Sequence, residues 1–325
     1  MSRGSRGNAQ ADRARTRRTH EPGGRHRGRH ERPAPHQRRT DIDTQPLHHA
    51  TAAPRSGRVP AQACRYDQRF SYCLYVPAQL APGQARLFVA VHGSERDNQA
   101  YCDAFQDLAD AAGMIVLAPL FPCGIIDPDD THNYKYIEYA GIRFDRVLLD
   151  MVAEVEARYR LAGRRLWLFG FSGGAHFAHR FAYLHPARLD AVSICAPGSP
   201  TLLDAGLPWW LGVADLEQRF GVALNLEAIR RLRIHLAVGE QDLGTAAIAH
   251  RPGSAHWMPG ADALGATRVE RLAALAASLR RQGVAVHEEQ VPGAAHDRAA
   301  LIACAKRYFR SLLEPERLEP ELLAS

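Results

Sequence analysis

Residues 166–185 read LWLFGFSGGAHFAHRFAYLH. A continuous apolar run breaks at one serine, with glycines at 170, 173 and 174, and then resumes at helical spacing. A helix does not favour glycines at its start, because glycine loses more backbone freedom on ordering than any other residue. A strand that must turn sharply into a helix needs them. Gly170-Phe171-Ser172-Gly173-Gly174 fits the pattern G-x-S-x-G between a strong strand and a helix. In that context the turn lifts the serine hydroxyl clear of a sheet, and the new helix aims its first N–H groups at the same place. The plain alternative is a glycine-rich packing turn without chemistry.

From residue 64 onward the chain alternates strand and helix patterns. Residues 65–77 suggest an opening strand or hairpin. RLFVAVHG (86–93) and MIVLAP (114–119) are continuous apolar runs of the kind buried on both faces of a parallel sheet. Helical character lies between them, over 98–112, with Gly113 as its stop. In 143–160, Val147, Leu148, Met151, Val152, Val155 and Tyr159 recur with the period of a helix. Further strands are predicted at 165–171, 189–197, 232–242 and 284–293, with helices from 174, over 266–282 and near 298–313. This alternation predicts a mostly parallel central sheet with helices on both faces. In such sheets, function sits in the loops beyond the C-terminal strand ends.

A serine hydroxyl needs a base, and the base needs an orienting acid. Asp242 follows the strand HLAVGEQD, and His296 follows VAVHEEQVPG, so both lie in loops at strand ends after Ser172. Asp204 and Glu240 are competing acids, and His250 and His256 are competing bases in the 243–263 insertion. His235 and His287 fall within strands and read as core or edge residues. An oxyanion needs two N–H donors. Gly173 supplies one, and the loop His92-Gly93-Ser94 the other, assigned to Ser94 with Gly93 and Glu95 as alternatives. Two lid-like insertions, 120–141 and 199–228, carry Tyr134, Tyr136, Trp209 and Trp210, which either line a substrate pocket or pack the insertions onto the sheet. His92 is a further candidate lining residue and reads as orienting its loop rather than as a base.

VHGSERDNQAYCDAFQDLADAAGMIVLAPLFP followed by GFSGGAHFAHRFAYLHPARLDAVSICAPG resembles the α/β-hydrolase superfamily, in its polyhydroxyalkanoate-depolymerase-like and feruloyl-esterase-like branch. The resemblance implies the α/β-hydrolase fold and a serine hydrolase that needs no cofactor. It also implies cleavage of carboxylic esters through an acyl-enzyme, with Ser172, Asp242 and His296 as the triad. Related members cleave amide-linked polymers such as poly(aspartic acid), which makes an amidase or peptidase the alternative. No signal peptide or polymer-binding module is legible, so the expected substrate is a small soluble ester or short oligomer and the expected compartment is the cytoplasm.

The formal net charge of +6 suggests nucleic acid, but its distribution does not. Residues 1–60 hold 14 Arg, no Lys and 5 acidic residues, while the remainder holds 27 basic and 30 acidic residues. The excess is confined to an Arg-, Gly- and Pro-rich segment with no aromatic residue before Tyr66, which predicts a disordered tail over 1–60 and a folded domain over 61–325. A third reading follows, a binding protein whose tail contacts nucleic acid over an idle scaffold. An intact Ser172, Asp242 and His296 argues against idleness, and no nucleic-acid partner is expected for the body. No membrane span is expected either.

The cysteines at 64, 73, 102, 123, 195 and 304 form no zinc spacing and read as reduced, mostly buried thiols. Asp127, Asp129, Thr131, Asn133 and Glu138 match several positions of a calcium loop, but His132 stands where the sharp turn needs glycine. They read as turn formers, and no metal is expected. Oligomeric state is not legible.

Overall fold

Short apolar runs set the centre of the molecule. In the computed structural model, which describes residues 55–80, 85–161 and 163–314, they become an eight-stranded sheet. The strands are β1 (Gly57–Ala63), β2 (Ser71–Val76), β3 (Arg86–Val91), β4 (Met114–Leu120), β7 (Leu166–Phe171), β8 (Leu189–Cys195), β9 (Arg233–Gly239) and β10 (Val286–Val291), with a two-stranded ribbon, β5 (Glu138–Tyr139) and β6 (Ile142–Arg143), set apart. The helices are α1 (Asn98–Ala104), α2 (Gln106–Ala112), α3 (Phe144–Tyr159), α4 (Gly173–Leu184), α5 (Leu216–Phe220), α6 (Leu226–Arg230), α7 (Arg268–Arg281) and α8 (Arg298–Ser311).

The order across the sheet is β1-β2-β4-β3-β7-β8-β9-β10. The last six are parallel, and β1 and β2 form an antiparallel hairpin at one edge. This is the expected mostly parallel sheet with helices. β3 sits at the middle. From it the chain runs outward to β4, and from its neighbour β7 it runs the other way to β8. The order therefore reverses between β3 and β7, and a crevice opens at their C-terminal ends. The loop carrying Ser94 leaves β3 there, and Ser172 leaves β7.

The central strands are buried on both faces, and aromatic side chains tie them to the helices. Phe88 of β3 lies 4.5 Å from Phe105 at the break between α1 and α2. Trp167 of β7 stacks on Phe309 of α8 at 5.2 Å. Such rings contribute both buried area and a preferred mutual geometry.

Several boundaries differ from the sequence expectation. β1 begins at Gly57, inside the segment assigned to the tail. It is an edge strand, half exposed and interrupted by Pro60, so it carries no apolar signal. Residues 1–54 and 315–325 lie outside the described residues. The helix read over 98–112 is two helices, α1 and α2, that meet at Phe105. Cys64, Cys73, Cys102, Cys195 and Cys304 are buried free thiols, and Cys123 is exposed and free. No described helix is long and apolar enough to cross a membrane.

Candidate active site at the β7–α4 turn

The turn at Ser172 is held by backbone crowding. A Cβ on Gly170 would overlap the carbonyl of Gly174, and a Cβ on Gly174 would overlap the carbonyls of Val91 and His92. The two glycines let β7, α4 and the end of β3 meet without side chains between them. Ser172 itself adopts φ 52° and ψ −113°, a region a β-substituted residue enters only under constraint. Its N–H is donated to the Cys195 carbonyl at 2.8 Å, and its carbonyl accepts from Ala175 and His176 at the start of α4.

His296 Nε2 lies 3.1 Å from Ser172 Oγ, and His296 Nδ1 lies 2.6 Å from Asp242 Oδ2. The structure thus brings the three residues into one line. Gly239, at the end of β9, makes this possible, because a Cβ there would overlap the carbonyls of Ala294 and Ala295. The His296 loop crosses the strand end at that point, and Gln241 N–H donates to the Ala294 carbonyl at 2.8 Å. Asp297 follows immediately and caps α8 through Ala299 N–H and Ala300 N–H. The imidazole stacks on Phe171 with ring centres 4.7 Å apart.

Asp242 is 2% exposed. Burial alone would raise its pKa, but hydrogen bonding and charge from His296 and Arg268 outweigh it and hold the carboxyl below its usual range. Arg268 Nη1 donates to Asp242 Oδ1 at 3.1 Å. Thr267 and Glu270 form a reciprocal cap at the start of α7 and fix Arg268 in its first turn. Asp204 and Glu240, the competing acids, are engaged elsewhere, accepting from Gly206 N–H and Gly293 N–H.

Gly173 opens α4, where the first N–H groups have no partner within the helix. Across from it, the Ser94 N–H makes no hydrogen bond among the described residues. Gly93 N–H, one of the alternatives, is taken by Tyr101 Oη at 3.0 Å.

A cavity of about 230 Å³ adjoins Ser172. Its walls include Ser94, Lys135, Tyr136, His176, His250 and Arg268, and no Asp or Glu lines it. Of the side chains expected to line a substrate pocket, Tyr136 does so. His92 does not. It is fully buried, accepts from Phe121 N–H through Nε2 at 3.0 Å and lies 2.7 Å from the Gly93 carbonyl through Nδ1, stapling the β3 loop to the end of β4. Tyr134 is also fully buried and donates to the carbonyls of His92 and Gly93, so it props the same loop. Trp209 packs on Phe220, and Trp210 donates to the His256 carbonyl; both support the wall from behind. The wall they support includes the 243–263 insertion, through His250 and His256, which had read only as competing bases. His250 Nε2 is 2.7 Å from Ser199 Oγ, and His256 stacks on Tyr136 at 4.0 Å.

Four cationic or imidazole residues here were not singled out from sequence: Lys135, His176, Arg268 and Arg271. Arg271 ties the insertion to the loop after β8 by donating to the carbonyls of Gly198 and Ile248. Their signal was present in part. His176 shares one face of α4 with His179 and Arg180 in a helix that is otherwise largely apolar, where titratable side chains need a reason.

The calcium-like residues are not gathered. Asp127 accepts from Asp129 N–H, Asn133 Oδ1 accepts from Tyr134 N–H, and Glu138 faces Arg219 at 3.9 Å. Among the described residues, His235, His287 and Glu289 do approach one another, on β9 and β10. Two of them already have protein partners: His235 Nδ1 is 2.9 Å from Ser193 Oγ, and Glu289 pairs with Arg307 at 2.6 Å.

Residues 70–198 match the family model described as esterase PHB depolymerase. No curated protein matches the chain. Among solved structures, the poly(3-hydroxybutyrate) depolymerase LpqC from Bordetella parapertussis is 22% identical over 81% of this chain and 93% of its own, with TM-score 0.62. Poly(aspartic acid) hydrolase-1 from Sphingomonas sp. KT-1 is 19% identical over 74% of this chain and 93% of its own, with TM-score 0.60. The fluorophosphonate-binding serine hydrolase F of Staphylococcus aureus is 12% identical over 81% and 100%, with TM-score 0.55. At these identities the structures speak for the fold. They show the α/β-hydrolase fold, and residues 70–198 are in addition similar to esterases of the PHB-depolymerase kind.

Proposed function

We propose that Ser172, His296 and Asp242 form a catalytic triad that cleaves esters of short acids through an acyl-enzyme. The observation that carries this reading is the continuous Ser172–His296–Asp242 hydrogen-bond line. Asp242 accepts a hydrogen bond from His296 Nδ1–H, which leaves Nε2 free to accept the Ser172 proton. Ser172 Oγ then attacks the ester carbonyl, and the developing oxyanion takes hydrogen bonds from Gly173 N–H and Ser94 N–H. His296 passes the proton to the departing alkoxide, and the alcohol leaves. A water enters, gives a proton to His296 and attacks the acyl carbon. The proton then returns to Ser172 Oγ as the acid departs. Asp242, kept ionised by Arg268, stabilises the imidazolium in both halves.

The substrate read from the cavity is small. A volume of about 230 Å³ lies below the roughly 300–1,000 Å³ of pockets that hold drug-sized ligands. A short acyl group or one end of a short polyester fits such a space. The likeness to poly(aspartic acid) hydrolase-1 supports amide cleavage as the second reading.

A fluorophosphonate probe tests the proposal. Wild type should be labelled and should turn over p-nitrophenyl acetate and butyrate, while Ser172→Ala should do neither. Equal labelling of Ser172→Ala would overturn the assignment. Paired ester and amide substrates then separate the two readings.

A further inference from the structure

The cavity beside Ser172 holds more hydrogen-bond donors than its own walls satisfy. Lys135 lies in the short 3₁₀ turn Asn133–Tyr136 and is 5% exposed. Among the described residues it has no carboxylate within ion-pair distance. Its one polar side-chain neighbour is His132 Nδ1 at 3.1 Å. An ammonium has three N–H groups, so two remain. The side chain lies directly over the Ser172 turn, since a Cβ on Gly173 would stand 3.0 Å from Lys135 Cε. Burying a cation without a counter-charge is costly, and side chains so placed are normally paired.

Two further donors line the same cavity. His176 Nε2 accepts from Gly198 N–H at 2.7 Å and Ser199 N–H at 2.9 Å, which puts the ring proton on Nδ1. That Nδ1 is buried and has no partner. Arg268 uses Nη1 for Asp242, but its Nε is likewise buried and unpartnered. Lys135, His176 and Arg268, from three separate elements, thus line one space with no acidic side chain, and each keeps N–H capacity that no protein group takes. Buried donors left open in this way are rare in folded proteins unless a ligand completes them.

We propose that this cavity is a carboxylate-binding subsite, and that the substrate is an ester of a short acid bearing a second, free carboxylate within reach of Lys135, Arg268 and His176. This rests on the serine-hydrolase reading for its chemistry, but the binding site stands on the donors alone. A carboxylate offers two oxygens with about four acceptor positions, enough for the ammonium and both open N–H groups. A hydrocarbon acyl chain would leave all three unsatisfied. Recognition by otherwise unpaired buried donors is also the arrangement that discriminates most strongly against a substrate lacking the group.

The test uses the full chain. Calorimetric titration compares glutarate, dimethyl glutarate and inorganic phosphate, and kinetics compare mono-p-nitrophenyl glutarate with its neutral methyl ester. Glutarate should bind and dimethyl glutarate should not, and kcat/KM should favour the hemiester by about tenfold or more. In Lys135→Met the preference should collapse, mainly through KM. Wild type needs no substitution for the first two comparisons, so a folding defect in the variant cannot rescue the idea. Turnover of p-nitrophenyl butyrate in the same samples reports the hydrolase reading separately. Turnover with no preference for the charged ester overturns the subsite. Glutarate binding without any turnover keeps the subsite and overturns the hydrolase reading. Phosphate binding as well as glutarate overturns the assignment to carboxylates.

Discussion

Arg268 and His296 grip opposite oxygens of the Asp242 carboxylate: Arg268 Nη1 is 3.1 Å from Oδ1, and His296 Nδ1 is 2.6 Å from Oδ2. The acid is nearly fully buried, so without the guanidinium its ionised form would face desolvation with only the imidazole to offset it. Replacing Arg268 by Gln should raise the Asp242 pKa. Asp242 then loses one of its two anchors and orients His296 less firmly, so kcat/KM for neutral p-nitrophenyl butyrate should fall by roughly tenfold, the loss that about 1.4 kcal/mol of transition-state stabilisation carries. The sign follows from the direction: Asp242 is held low in the wild type, so activity persists as pH falls, and in Arg268→Gln the acid limb moves to higher pH. A pH–rate profile of the two proteins measures this. An unmoved limb would show that Arg268 contributes packing alone.

Gly174 should tolerate no side chain. Its Cβ would meet two backbone carbonyls, those of Val91 and His92, and neither can swing aside as a flexible side chain can. Gly174→Ala therefore pushes α4 away from β3, and Ser172 moves with it. Overpacking of this kind costs about 1–3 kcal/mol of stability. Thermal unfolding should show that loss, and ester turnover should fall by about two orders of magnitude because reacting groups separated by a fraction of an ångström lose their alignment. A variant with wild-type turnover would mean that the turn is not tightly held.

The strands of the parallel sheet were legible because they are apolar on both faces, and the Ser172 turn because only glycines fit around it. Asp242 and His296 were placed by strand ends and chain order. What escaped the sequence was polar and tertiary. β1 is half exposed, so it lacks an apolar run. Tyr134, Trp209 and Trp210 suggested a pocket lining by residue type, yet they pack behind the wall, and sequence does not say which side of a loop faces a cavity. Nothing in the sequence singles out Lys135 and Arg268. Only the packing of the Asn133–Tyr136 turn and α7 reveals them as buried and directed at one space.

His92 offers a check on that correction. Removing its imidazole leaves Phe121 N–H buried without an acceptor. Such a loss costs about 1–3 kcal/mol, so His92→Ala should melt at a lower temperature. The Ser94 loop is also released, which should lower kcat more than it raises KM, since the oxyanion donor acts chiefly in the transition state. A His92 that touched substrate would show the opposite split, with KM rising and stability unchanged. Urea unfolding and steady-state kinetics on one preparation distinguish the two.

The carboxylate subsite carries its own pH signature. Burial, joined by the nearby positive charge of Arg96, pushes Lys135 down to about 8. Arg268 adds to the lowering, and Cys123 and Asp130 oppose it. His132, beside the ammonium, is itself pushed down to about 4 by burial and stays neutral here. The ammonium is therefore present below about pH 8 and lost above it. Because the hemiester carboxylate is ionised throughout, the ratio of kcat/KM for the charged and neutral esters isolates Lys135, and changes common to both substrates cancel. That ratio should be flat near neutrality and fall as pH rises through about 8. A bound carboxylate stabilises the ammonium, so kcat for the hemiester should hold to higher pH than kcat/KM does. Lys135→Arg, which keeps its charge, should retain the preference at about pH 9.5. A ratio that stays constant between about pH 7 and about pH 9.5 in wild type would remove Lys135 from carboxylate recognition.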